Sequence, residues 1–144
     1  MGFSFSKLLG RDKIASEDTI EAIIASVEHK PYGISESNVL FSGMNELGGY
    51  LFFQTVIVGD LSTKVKNGAT LTFKGNDFEL TLSSDSLEFE SSPTETKGRN
   101  ATSIDFQIEE SDIKKLQNAK LKEIVLKVKK QEILFKKYKT RSDN

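Results

Sequence analysis

The sequence predicts a mainly β domain of the α+β kind: an antiparallel β-sandwich or partly closed barrel, with one N-terminal amphipathic helix and one short helix before the last strands. Three observations carry this expectation. Apolar residues alternate with polar ones through most of the chain after Asn38, Gly, Asn, Asp and Pro punctuate the alternating runs, and one earlier segment shows helical spacing instead. A chain of 144 residues fits a single domain, 1–144, able to bury about 70% of its unfolded surface. Its 37% hydrophobic and 28% charged content is that of an ordinary globular protein, so disorder is expected only at the ends, residues 1–14 and 139–144.

The helix is expected over Ser16 to Lys30, where Ile20, Ile23, Ile24 and Val27 recur at i, i+3, i+4 and i+7. Ser16 or Asp18 can cap it, and Pro31 and Gly33 stop it with His29 and Lys30 at its negative end. The period then becomes two. A strand at about Val39 to Met44 is followed, past Gly48-Gly49, by Tyr50 to Val58, where Phe52, Val56 and Val58 occupy one face and Leu51, Phe53 and Ile57 the other. That run reads as a central strand whose faces must be covered by a second sheet or by the helix.

Leu71 and Phe73, then Phe78, Leu80 and Leu82, then Leu87 and Phe89, then Ile104, Phe106 and Ile108 each alternate with polar residues, as half-buried strands do. Asn67-Gly68, between Leu61 to Lys66 and Ala69 to Lys74, is a strong hairpin signal, and Gly75-Asn76-Asp77 a second turn. Ser91 to Asn100 has no periodicity and reads as a mobile loop. Glu109 to Asn118 reads as a short helix capped by Ser111, with Ile113 and Leu116 inward. The end fits either a long helix or two strands; the β-branched run Ile124 to Val128, then Ile133 and Phe135, favours strands.

The Asn67-Gly68-Ala69-Thr70-Leu71-Thr72-Phe73 segment, Ile104-Asp105-Phe106-Gln107-Ile108, Asp112-Ile113-Lys114-Lys115-Leu116 and Ile124-Val125-Leu126-Lys127-Val128 together resemble small β-rich bacterial proteins of unassigned activity. The resemblance covers the second half of the chain, rests on hydrophobic pattern, and implies a β-rich fold without site residues.

Chemistry narrows the function classes. With no cysteine there are no disulfides, thiolate metal sites or cysteine nucleophiles. The apolar runs are too short to cross a bilayer as helices and Met1 to Arg11 lacks a secretory pattern, so the cytoplasm is the expected compartment. Met1-Gly2-Phe3-Ser4-Phe5-Ser6 fits the short N-myristoylation pattern, an ordinary start being the commoner reading. The single histidine, His29, has no Gly-x-Ser-x-Gly elbow to serve. Ser-x-x-Lys at Ser4 to Lys7 and Ser111 to Lys114 lacks the accompanying Lys-Thr-Gly, and paired carboxylates for glycoside chemistry from Glu88, Glu90, Glu109 or Glu110 are disfavoured because Glu88 and Glu90 fall on the wet face of a strand and there is no tryptophan to stack on a sugar. Asp77 and Asp85 lack calcium-loop spacing, and Gly43, Gly48 and Gly49 form no phosphate-binding motif. No cofactor or metal is expected.

Charge is distributed unevenly: residues 1–110 hold 9 basic and 17 acidic side chains, residues 111–144 hold 11 and 4. Two oppositely charged surfaces within one fold account for this most simply, but Lys127, Lys129, Lys130, Lys136 and Lys137, in a basic segment interleaved with Phe135 and Tyr138, are possible anion contacts. The expected function is therefore a non-enzymatic binding or accessory domain, acting on a small ligand or protein through a sheet face or a sheet–helix pocket. The alternative is a peripheral adaptor drawn to anionic membrane or nucleic acid by its basic C-terminal segment.

Overall fold

The computed structural model describes residues 16–27 and 29–139. In chain order these form α1 (Ser16–Ser26), β1 (Gly33–Ile34), β2 (Asn38–Leu47), β3 (Tyr50–Gly59), β4 (Lys64–Val65), β5 (Ala69–Gly75), β6 (Phe78–Ser83), β7 (Phe89–Glu90), β8 (Ser92–Pro93), β9 (Asn100–Gln107), α2 (Glu110–Asn118), β10 (Leu121–Val128) and β11 (Gln131–Lys137). Nine strands make one antiparallel sheet in the order β6-β5-β10-β11-β1-β2-β3-β9-β8, and β4 pairs with β7. Of the two arrangements the alternation allows, the described residues show a curled sheet forming a half-barrel. Its far strands touch where Ser84 bridges Phe106 and the Asp85 amide donates to the Asp105 carbonyl at 2.7 Å.

The curl follows from alternation. Leu71 and Phe73 of β5, Ile104 and Phe106 of β9, and Ile124 and Leu126 of β10 are almost wholly buried in one apolar cluster inside it. A smaller cluster lies outside the sheet, where Ile20 and Ile23 of α1 cover Val39 and Phe41 of β2. The strand buried on both faces is thus the start of β2, residues 38–41, rather than β3. β3 is central, paired with β2 and β9. Its outer face is covered only in part, since Val58 packs under α1 while Val56 is 37% and Tyr50 67% exposed.

Several local expectations need correction. α1 ends at Ser26, so His29 and Lys30 lie beyond it. The Ser26 hydroxyl donates to the Ile23 carbonyl at 2.8 Å, and the Val27 amide reaches Ile24 instead, at 3.4 Å, breaking the i to i−4 ladder. The cap of α2 is Glu109, whose amide donates to Asp112 Oδ2 at 3.3 Å; Ser111 sits inside the helix.

Gly48-Gly49 makes a tight hairpin turn, both residues at positive φ (60° and 87°), as a two-residue turn of the I′ type requires. Asn67-Gly68 joins no hairpin, because β4 pairs with β7 and β5 with β6 and β10. Leu87 is 63% exposed and lies outside any strand. The segment read as a loop is tied down: Ser92 and Pro93 pair with Ala101 and Asn100, the Thr94 amide donates to the Arg99 carbonyl at 2.9 Å, and Thr96 and Arg99 are buried. The turn at Asn76-Asp77 and the two final strands are as expected. The terminal segments 1–14 and 140–144, with the Met1-to-Ser6 pattern, lie outside the described residues; Lys139 is exposed.

Gly68 still matters for its backbone. It holds φ at +80°, its amide donates to the Leu87 carbonyl at 2.8 Å, and a Cβ there would sit 3.0 Å from Ser84 Oγ. Gly68→Val is expected to cost about 1–2 kcal/mol, the penalty of a side chain in the left-handed region. A urea midpoint equal to wild type would show that the turn adjusts freely.

Candidate functional site

At one end of the half-barrel the wall strands stop and a cleft of about 710 Å³ opens. Topology places a helix across it: β9 and β10 are five positions apart in the sheet, and α2 joins them. α2 contributes Ile113 and Leu116, half-buried against the barrel cluster and spaced i, i+3 on one helix face. The sheet contributes Met44 and Phe53, directly opposite each other on β2 and β3, and Leu121, the first residue of β10. Met44 remains 47% exposed because it stands at the opening.

Tyr32 forms part of the floor. Its amide donates to the Leu40 carbonyl at 2.8 Å and its carbonyl accepts the Tyr138 amide at 2.9 Å, which fixes its backbone between β2 and the end of β11. Its ring meets Phe53 edge to face at 5.5 Å between centroids and Phe73 at 6.3 Å, and the two phenylalanines meet each other at 5.3 Å, all at 71–84°. Such contacts add to the area the rings bury. Burial pushes the Tyr32 phenol up to about 12, so it stays a neutral hydroxyl across the physiological range.

Of the five lysines expected to contact anions, only Lys137 lines this cleft. Its Nζ lies 4.5 Å from the Tyr32 ring centroid and donates to the Tyr138 carbonyl at 3.3 Å. Lys127 pairs with Glu132 at 3.5 Å, both about 60% exposed, and Lys129 and Lys130 make the turn between β10 and β11, at the opposite end of those strands. Lys136 faces outward, on a larger groove of about 1000 Å³. That groove mixes Glu36, Asp60 and Glu132 with Lys136, Lys137 and Lys139, so its rim favours neither charge. The basic segment is therefore divided among three places.

Sequence reading missed Tyr32, Met44, Lys30, Lys120 and Lys139 as lining residues. Lys137 was named with the other four lysines, and parity alone could have singled it out, since it continues the inward face of Ile133 and Phe135. Among the described residues no three His, Asp or Glu side chains gather to hold a metal ion, and no helix is long and apolar enough to cross a membrane. No family model, curated protein or solved structure matches the chain.

Proposed function

We propose that this protein is a non-enzymatic binding module whose site is the cleft between the open end of the half-barrel and α2. The observation that carries the reading is an apolar recess floored by the Tyr32 and Phe53 rings, which pack on the buried Phe73 beneath them, and roofed by Ile113 and Leu116 of α2. Its size lies within the roughly 300–1,000 Å³ of ligand pockets, and a mostly apolar lining with a few polar groups is their usual composition. Phe53 sits on a strand paired on both sides and Tyr32 is held by two backbone hydrogen bonds, so the floor is largely formed before binding.

A neutral apolar fluorophore, N-phenyl-1-naphthylamine, tests this. Saturable one-to-one binding is expected, with a rise in melting temperature, because a ligand held only by the folded state stabilises it by about 2.7 kcal/mol at a hundred times its Kd. Ala119→Trp and, separately, Leu116→Trp are designed to fill the recess and should abolish the signal while the circular dichroism spectrum stays native. Unsaturable binding by the wild type, or undiminished binding by both folded variants, would sink the reading.

A further inference from the structure

Sulfur and aromatic groups meet where the cleft opens. Met44 and Phe53 stand directly opposite each other on β2 and β3, the Tyr32 ring lies against Phe53, and all three residues line the recess. Tyr32, Phe53 and Phe73 pack edge to face, with 5.3 to 6.3 Å between centroids and 71 to 84° between planes. In that arrangement the positive edge of one ring meets the negative face of the next. Lys137 Nζ, 4.5 Å from the Tyr32 centroid, makes a third contact on that ring. The two rings that reach the cleft are thus oriented before any ligand arrives. Met44, 47% exposed, is unbranched and polarisable, so its thioether can follow the outline of a guest.

We infer that the cleft takes a planar fused-ring aromatic ligand, which continues the herringbone of Tyr32 and Phe53 and sets its edge against the Met44 sulfur. This rests on the binding-module reading above and names the class of ligand. An alkyl ligand of equal area gains the same burial but neither the ring–ring nor the sulfur–ring attraction. A flexible chain also loses rotamer freedom on entering a preformed site, a cost that a rigid ring system does not carry. Affinity therefore comes from apolar area, and discrimination from the π system.

The test is displacement of bound N-phenyl-1-naphthylamine by 2-naphthalenemethanol and by decahydro-2-naphthalenemethanol, which share a carbon skeleton and a hydroxyl and differ in the π system. The aromatic compound is expected to bind about tenfold more tightly. The saturated one is the more hydrophobic, so burial alone would give the opposite order. The chain has two methionines, Met1 and Met44, so carbon-13 labelling of methionine methyl groups provides a resonance at the cleft that Met44→Leu identifies by its loss. The aromatic ligand should shift the Met44 methyl resonance through its ring current, and the saturated ligand should shift it much less. Met44→Leu should also reduce the preference to about threefold. Equal affinity in the wild type, or tighter binding by the saturated compound, would overturn the aromatic assignment while leaving the cleft reading intact. So would a Met44 methyl resonance that both ligands move alike, or a preference undiminished in Met44→Leu, because the ring would then lie away from the sulfur. Failure of the fluorophore itself to bind would remove the cleft reading and the ligand class together.

Discussion

Phe73→Ala is expected to lower the unfolding free energy by about 3–5 kcal/mol, the range for truncating a fully buried aromatic. Phe73 has no exposed surface, lies on the inner face of β5 opposite Ile124 of β10 and Leu80 of β6, and meets the rings of Phe53 and Tyr32 edge to face. Strands on both sides are hydrogen-bonded to β5, so the walls cannot collapse into the space left, and a cavity adds to the lost transfer energy. The void would open beneath the cleft floor, so fluorophore affinity should fall as well. Tyr50→Ala, at a ring 67% exposed, serves as the contrast and should change stability by no more than about 0.5 kcal/mol. Urea midpoints at constant slope measure both. A loss under about 1 kcal/mol at Phe73 would show that the barrel interior is not the core.

The strands were legible wherever one face is buried and the other wet, because the side-chain period is then written directly into the residues. Ile104, Phe106 and Ile108, and Ile124 and Val128 around Leu126, fall inward as their alternation requires. Pairing was less legible, since a turn signal is local and partner choice is not. Asn67-Gly68 has the residues of a hairpin, yet Val65 pairs with Phe89, so the turn redirects the chain between two sheets. The end of α1 depended on one hydroxyl, Ser26, competing for a helix carbonyl, which hydrophobic spacing does not register. The cleft was the least legible feature. Tyr32, Phe53, Leu116 and Lys137 come from four distant parts of the chain, and only the curl of the sheet brings them to one opening.

The rim of that opening depends on a close approach that only glycine permits, and Gly75→Val should therefore damage both stability and binding. Gly75 ends β5 opposite Leu121, where β10 carries a register irregularity between Leu121 and Glu123. A Cβ at Gly75 would collide with the backbone carbonyl of Lys120, and its next neighbour would be the Lys120 carbonyl carbon at 3.1 Å. Neither is the yielding tip of a side chain. The strand β10 would have to move away from β5 at its first residues, carrying Lys120 and Leu121, both cleft-lining, with it. Overpacking of this kind costs about 1–3 kcal/mol, and a β-branched side chain cannot rotate its way out of a clash at Cβ. Gly43→Ala is the control: Gly43 lies within β2, a Cβ there would meet no atom within 4 Å, and the methyl restricts mainly the unfolded chain, for a gain of about 0.4–1 kcal/mol. Opposite signs at the two glycines, with fluorophore binding weakened only by Gly75→Val, would tie the cleft to the β5–β10 contact. Equal stability for Gly75→Val and wild type would mean that the link from α2 into β10 yields readily, and that the rim is not held where the close approach places it.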